Sequence, residues 1–269
     1  MTNENDILEL AKTLRLHAIQ AHWNEIAKSD EQKALIRNLL LWENQERERR
    51  RLDACVRKNG IKAVSPMSGF DWTWPTKINR EQIEDLFNLS FLTEHVNVVM
   101  IGSAGLGKTM IAQNLVDLAS RKGHSALFVE SSHLMGELVA ETTRRGLESA
   151  LAKYTKPKLL AIDELGYLAY DTRFADLLFQ LIHRRTKNSS TIITTNRAFG
   201  EWREVFPNAA SVTALIDRII ERCEVIQIEG ESFRQKRFQE RLQVKKTKKP
   251  GKASTSQAQS KTDEPVLPK

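Results

Sequence analysis

The stretch "GSAGLGKT", Gly102 to Thr109, follows the apolar run "VNVVMI" (Val96 to Ile101) and precedes "MIAQNLVDLA", whose apolar residues recur at helical spacing. Strand, glycine-rich turn and helix form the context in which G-x-x-x-x-G-K-[ST] holds a polyphosphate. A polyphosphate needs many donors at short range. Glycines let the backbone of Gly102, Ser103, Ala104, Gly105, Leu106 and Gly107 wrap closely and turn its N–H groups inward, and the next helix adds the positive end of its dipole. Lys108 is placed to reach the terminal phosphates, and the Thr109 hydroxyl to ligate a divalent cation such as Mg2+.

Outward from this loop the chain alternates. Strand candidates are residues 97–101, 125–130, 158–163, 190–195 and 224–229, with helical patterns near 108–121, 132–153, 173–186 and 211–222. Near-continuous apolar strands separated by helices predict an α/β core with a five-stranded parallel sheet, covered on both faces. Upstream, residues 6–28 and 31–58 read as two amphipathic helices, with Gly60 stopping the second. The predicted organisation is a helical N-terminal domain (1–62), a linker with a short helix near Arg80 to Leu86 (63–95), the phosphate-binding core (96–243) and a disordered basic tail (244–269). The aromatic linker segment "GFDWTWP" either closes over a nucleotide base or packs the N-terminal helices onto the core.

Composition sets the class. The chain has 269 residues, 41% hydrophobic and 28% charged, as in an ordinary globular protein. No apolar run approaches the ~18 residues of a membrane helix, and the polar start "MTNENDILEL" has no signal-peptide pattern. Cys55 and Cys223 lack metal or redox spacing, so a cytoplasmic location with free thiols is expected. The net charge of +7 is concentrated: residues 244–269 hold seven lysines against two acids, and residues 47–62 hold seven basic residues against two acids. The basic helix, with Arg47, Arg49, Arg50, Arg51, Arg57 and Lys58, is the candidate contact for the phosphates of an anionic partner, or else a solvated helix face.

The run "LLAIDELGY" ends a strand on Asp163 and Glu164, at the edge of a parallel sheet where ligands bind. Asp163 is a candidate Mg2+ ligand beside Thr109. Glu164 can orient and deprotonate an attacking water. Asn196, at the end of the next strand in "TIITTNRAFGEW", could sense the terminal phosphate or hold that water. Arg218 and Arg222 lie one turn apart in "ALIDRIIERC", and their spacing alone favours ion pairing with Asp217 or Glu221.

Together "IGSAGLGKT", "AIDELGY", "LLFQLIHRR", "IITTNRAFGEW" and "LIDRIIERCEVIQIEGESFR" resemble the IstB family, AAA+ helper ATPases of bacterial transposons related to the DnaC helicase loaders, over roughly residues 8–240. The resemblance implies a Walker A loop at Gly102 to Thr109, Walker B at Asp163 and Glu164, sensor 1 at Asn196 and an arginine finger at Arg218. It implies ATP hydrolysis with Mg2+ at the interfaces of a homo-oligomer, assembly on double-stranded DNA and a DDE transposase as partner. It implies too that the helical lid of many AAA+ proteins is lacking. "IIERCE" and "HRRTKNS" depart from the family pattern outside the site. A DnaC-like helicase loader is the alternative. A small-molecule kinase is disfavoured by the Asp163-Glu164 pair, and a non-hydrolysing scaffold by intact Lys108, Asp163 and Glu164.

Overall fold

The computed structural model describes residues 4–167, 169–206 and 209–247. Five strands, β1 (Asn97–Gly102), β2 (Ala126–Glu130), β3 (Leu159–Asp163), β4 (Ser190–Thr195) and β5 (Cys223–Ile228), form one sheet in the order β2-β3-β4-β1-β5. Every pairing is parallel. The predicted runs are the strands observed, because β1, β3 and β4 are buried on both faces and show no polar alternation.

Before the sheet come α1 (Glu4–Thr13), α2 (His17–Ala21), α3 (Trp23–Ile26), α4 (Asp30–Arg57), α5 (Arg80–Leu86) and α6 (Ser90–Glu94). The core then contributes α7 (Lys108–Arg121), α8 (Ser131–Ala140), α9 (Arg144–Thr155), α10 (Thr172–Arg185), α11 (Trp202–Val205) and α12 (Ala209–Ile220). Among the described residues a single helix, α13 (Phe233–Thr247), follows β5.

Side chains alternate along each strand between two apolar layers. Val99, Leu160, Ile162 and Ile193 pack under α8 to α12. Val98, Met100, Ala161 and Ile192 pack under α5, α6 and α7. A third, smaller cluster of Ile7, Ala11, Leu14, Trp23, Ala27 and Leu40 joins α1 to α4.

Three readings change. The helix predicted over 6–28 is three short helices, because Arg15 takes a left-handed conformation (φ 59°) that ends the first. The helix predicted over 132–153 is two, because Thr143 caps α9, its hydroxyl accepting from the Gly146 N–H at 3.0 Å. Helix α13 continues through Thr247, so the stretch read as a tail from 244 begins as helix; residues 248–269 lie outside the described residues.

A buried cation locks the sheet to its connections. Arg185, 1% exposed, donates to the carbonyls of Tyr154, Pro157 and Ser190 and to the Thr191 hydroxyl, joining the ends of α9 and α10 to the start of β4.

Candidate active site

The loop 102–109 links β1 to α7 at the carboxyl edge of the sheet, between β4 and β5. Strand order reverses here, because β1 leads through α7 to the far edge strand β2. Gly102 has a reason that the motif did not suggest. A Cβ there would lie 2.2 Å from the Ile228 carbonyl oxygen, so the neighbouring strand requires the glycine. Gly107 has φ 88°, and a Cβ would meet the Phe70 ring at 2.4 Å.

Lys108 is 5% exposed, and its ammonium donates to the Gly102 and Ser103 carbonyls at 2.7 and 2.8 Å. Burial lowers its pKa to about 8, against the opposing charges of Asp163 and Glu164. Asp163 is 3% exposed. Its carboxylate accepts from the Thr109 hydroxyl at 3.1 Å and, more closely, from the Thr194 hydroxyl. Burial holds Asp163 above the ordinary carboxylate range, although both hydroxyls and Lys108 work against this.

Glu164 takes φ 60°, a left-handed conformation unfavourable for any side chain with a Cβ. Its neighbours fix it there. The Glu164 N–H donates to the Thr194 hydroxyl at 2.9 Å, the Leu165 N–H donates to the Thr194 carbonyl at 2.9 Å, and the Glu164 carbonyl accepts from the Ser131 hydroxyl at 2.9 Å. The bend leaves Glu164 exposed on the wall of a cavity of about 310 Å³, with Lys108, Thr109, Gly105, Thr194 and Arg234.

Four expected residues, Lys108, Thr109, Asp163 and Glu164, therefore converge. Ser103 and Ala104 lie exposed on the loop, while Leu106, 2% exposed, anchors it in the apolar layer. Asn196 is exposed one residue beyond β4 and does not line the cavity; Thr194, two residues earlier, does. A threonine inside an apolar strand reads as a β-former, so its role was hidden. Arg234, at the start of α13, was also missed, and "GESFR" carried no signal for it. Arg218 pairs with Glu221 at 3.0 Å. It precedes β5 by a few residues, and the first residue of β5, Cys223, lies beside Asn97 at the opposite end of β1 from the loop. The strand between is about 17 Å long at ~3.3 Å per residue, so Arg218 does not reach its own chain's loop.

The segment "GFDWTWP" packs on the loop. Phe70 touches Gly107, the Trp74 indole N–H donates to the Glu231 carbonyl at 2.7 Å, and Phe70 and Trp72 join the apolar layer beneath α7. The basic run of α4 is largely paired within the helix. Arg47 meets Glu43 at 2.5 Å, Arg49 and Arg50 share Glu46 at 2.9 and 2.8 Å, and Arg51 meets Glu48 at 2.6 Å.

The donor set suits nucleotide and metal. A hydroxyl and a buried carboxylate, both oxygen donors, are the ligands a hard divalent cation takes, and its charge would relieve the burial of Asp163. Buried Lys108 satisfies itself on two loop carbonyls, a role that phosphate oxygens can take over.

A P-loop at the reversal point of a 2-3-4-1-5 parallel sheet, with paired carboxylates at the end of β3, one strand removed from the P-loop strand, defines an ATP-binding protein with the AAA+ fold. The chain belongs to the IstB-like ATP binding protein family, whose model matches residues 9–241. It is 37% identical over 188 residues to a Bacillus thuringiensis subsp. berliner protein named as the ATP-binding protein of insertion sequence IS232, covering 70% of this chain and 75% of that one. It is 30% identical over 244 residues to a Geobacillus stearothermophilus protein named for insertion sequence IS5376, covering 88% and 97%. The replication initiator DnaA, solved with AMPPCP and single-stranded DNA, shares the fold: TM-score 0.50, 16% identity, 65% of this chain and 56% of that one. Among the described residues no helix is long and apolar enough to cross a membrane.

Proposed function

We propose that this chain hydrolyses ATP at sites completed by neighbouring copies, and uses that cycle to assemble on duplex DNA and engage the DDE transposase of an insertion sequence. The observation that carries this is the division of the site. Lys108, Thr109, Asp163 and Glu164 share one cavity edge, whereas Arg218 stands at the far end of the sheet, partly exposed. The insertion-sequence names of the relatives favour transposition over helicase loading.

Each residue has a physical task. Lys108 gives charge-assisted donors to phosphate oxygens. Thr109 and Asp163 hold Mg2+, which when bound neutralises phosphate charge. Glu164, solvent-exposed and anionic, accepts a proton from the attacking water. Asn196 positions that water from the end of β4. Arg218 leaves Glu221 and stabilises the terminal phosphate of a neighbouring copy, and the basic end of α4, Arg47 to Lys58, supplies DNA contacts.

Mixing two inactive variants tests the reading. Arg218→Ala retains an intact loop, and Lys108→Ala retains an intact arginine, so mixed assemblies contain hybrid sites with both. Turnover of the mixture should exceed the sum of the two variants alone. Turnover equal to that sum, with mixed assemblies confirmed by cross-linking, would refute action between chains.

A further inference from the structure

A trough follows the outer edge of the sheet, away from the nucleotide cavity. β2 is an edge strand, and the chain leaving α4 caps it: the Phe128 N–H donates to the Asn59 carbonyl at 2.8 Å. Beside this cap lie two cavities of about 550 and 830 Å³, which share Lys58, Leu127 and Lys153 and so form one trough between the ends of α4 and α9. Arg57, Lys58 and Lys62 line it from the α4 side, and Lys153 and Lys156 from α9. Among the described residues that line it, Glu130 is the only carboxylate.

Pairing separates these cations from the rest of the basic run. Arg47, Arg49, Arg50 and Arg51 are held by carboxylates of their own helix. Lys153 is held by Glu137. Arg57, Lys58, Lys62 and Lys156 are exposed, and none of the four is in an ion pair among the described residues.

We infer that this trough binds the sugar–phosphate backbone of duplex DNA. Cations on both walls with one carboxylate between them suit a ligand of uniform, repeating negative charge. A protein segment of mixed charge would leave most of them unmatched. The trough also lacks a free stacking face: Phe128 and Tyr154 are 8% and 0% exposed, and the imidazole of His133, its third aromatic ring, is engaged by Glu137 at 2.9 Å. Unpaired bases need such a face, whereas a duplex backbone does not. The inference rests on the proposed assembly on DNA, and moves the contact from the middle of α4 to its end and to α9.

The test is the salt dependence of binding to a fluorescent duplex of arbitrary sequence, by anisotropy with ATP present. One variant combines Arg57→Ala, Lys58→Ala, Lys62→Ala and Lys156→Ala; the control combines Arg49→Ala and Arg50→Ala. Each lost phosphate contact flattens the plot of log K against log salt by ~0.9, or about 3.6 for four. The quadruple variant should approach that value with ATP affinity unchanged, while the control flattens by less than about 1. A wild-type slope in the quadruple variant overturns the trough while leaving DNA assembly intact. Loss of polyglutamate binding with a retained duplex slope also overturns it, assigning the trough to acidic protein segments. Absence of duplex binding by the wild-type protein removes both proposals.

Discussion

Replacing Lys108 with methionine should stabilise the nucleotide-free protein while destroying its affinity for ATP. Lys108 is 5% exposed, and burial lowers its pKa from the ordinary 10.5 to about 8. Each pKa step is worth 1.36 kcal/mol, so holding the charged lysine at pH 7 costs roughly 3 kcal/mol of folding stability. The cost is fully present below pH 8, declines as pH rises and the folded protein's lysine loses its proton, and vanishes near 10.5, where the unfolded chain does the same. Bonds to the Gly102 and Ser103 carbonyls work in the other direction by ~1 kcal/mol each, and this offset varies little with pH. The diagnostic quantity is therefore the stability of Lys108→Met minus wild type, from urea unfolding at pH 7 to 10.5. It should fall by about 3 kcal/mol across that window. Other titrating groups cancel in the difference. Parallel stability curves would show that Lys108 titrates normally, and the burial reasoning would fail.

Two further substitutions probe the carboxylate strand. Glu164→Gln keeps the shape and loses the proposed base, so ATP binding should persist while turnover falls ~10²- to 10⁴-fold; unchanged turnover at saturating ATP and DNA would remove Glu164 from the chemistry. Thr194→Val is nearly isosteric but leaves the Glu164 N–H without its acceptor and Asp163 with one hydroxyl donor, Thr109, in place of two. It should cost about 2 kcal/mol in urea unfolding and weaken Mg2+-dependent ATP binding, and a loss under about 0.5 kcal/mol would show that the hydroxyl does not hold the bend.

Much of the fold was readable because the physics is local. Strands buried on both faces leave unbroken apolar runs, and α7 and α10 carry clean helical spacing. The loop and the Asp163-Glu164 pair were readable because their chemistry needs fixed residue types in fixed order. The unread features depend on contacts distant in sequence. Thr194 matters through Asp163, 31 residues away. Gly102 is fixed by Ile228 across the sheet, and Arg234 enters the site only because α13 folds back over the loop. One omission was avoidable. Glu43, Glu46 and Glu48 stand three or four residues before Arg47, Arg49, Arg50 and Arg51, the spacing at which helical charges pair, so the neutralisation of that run was legible.

The packing around the loop explains how the core presents a formed phosphate site. The 70–74 segment and the 231–236 segment meet over it. Phe70 lies against Gly107, Ser232 against Gly105, and the Phe233 N–H donates to the Gly105 carbonyl at 3.1 Å. Trp74 ties the two segments through Glu231, and the Lys236 ammonium stands 4.1 Å from the Trp74 ring centre. Fixing a flexible residue costs ~1–2 kcal/mol, and here that ordering is completed in folding rather than during nucleotide binding. The same contacts bind the start of α13 to the loop. Movement of that helix would therefore be felt at Gly105 and, through Arg234, on the wall of the cavity that Lys108 and Glu164 share.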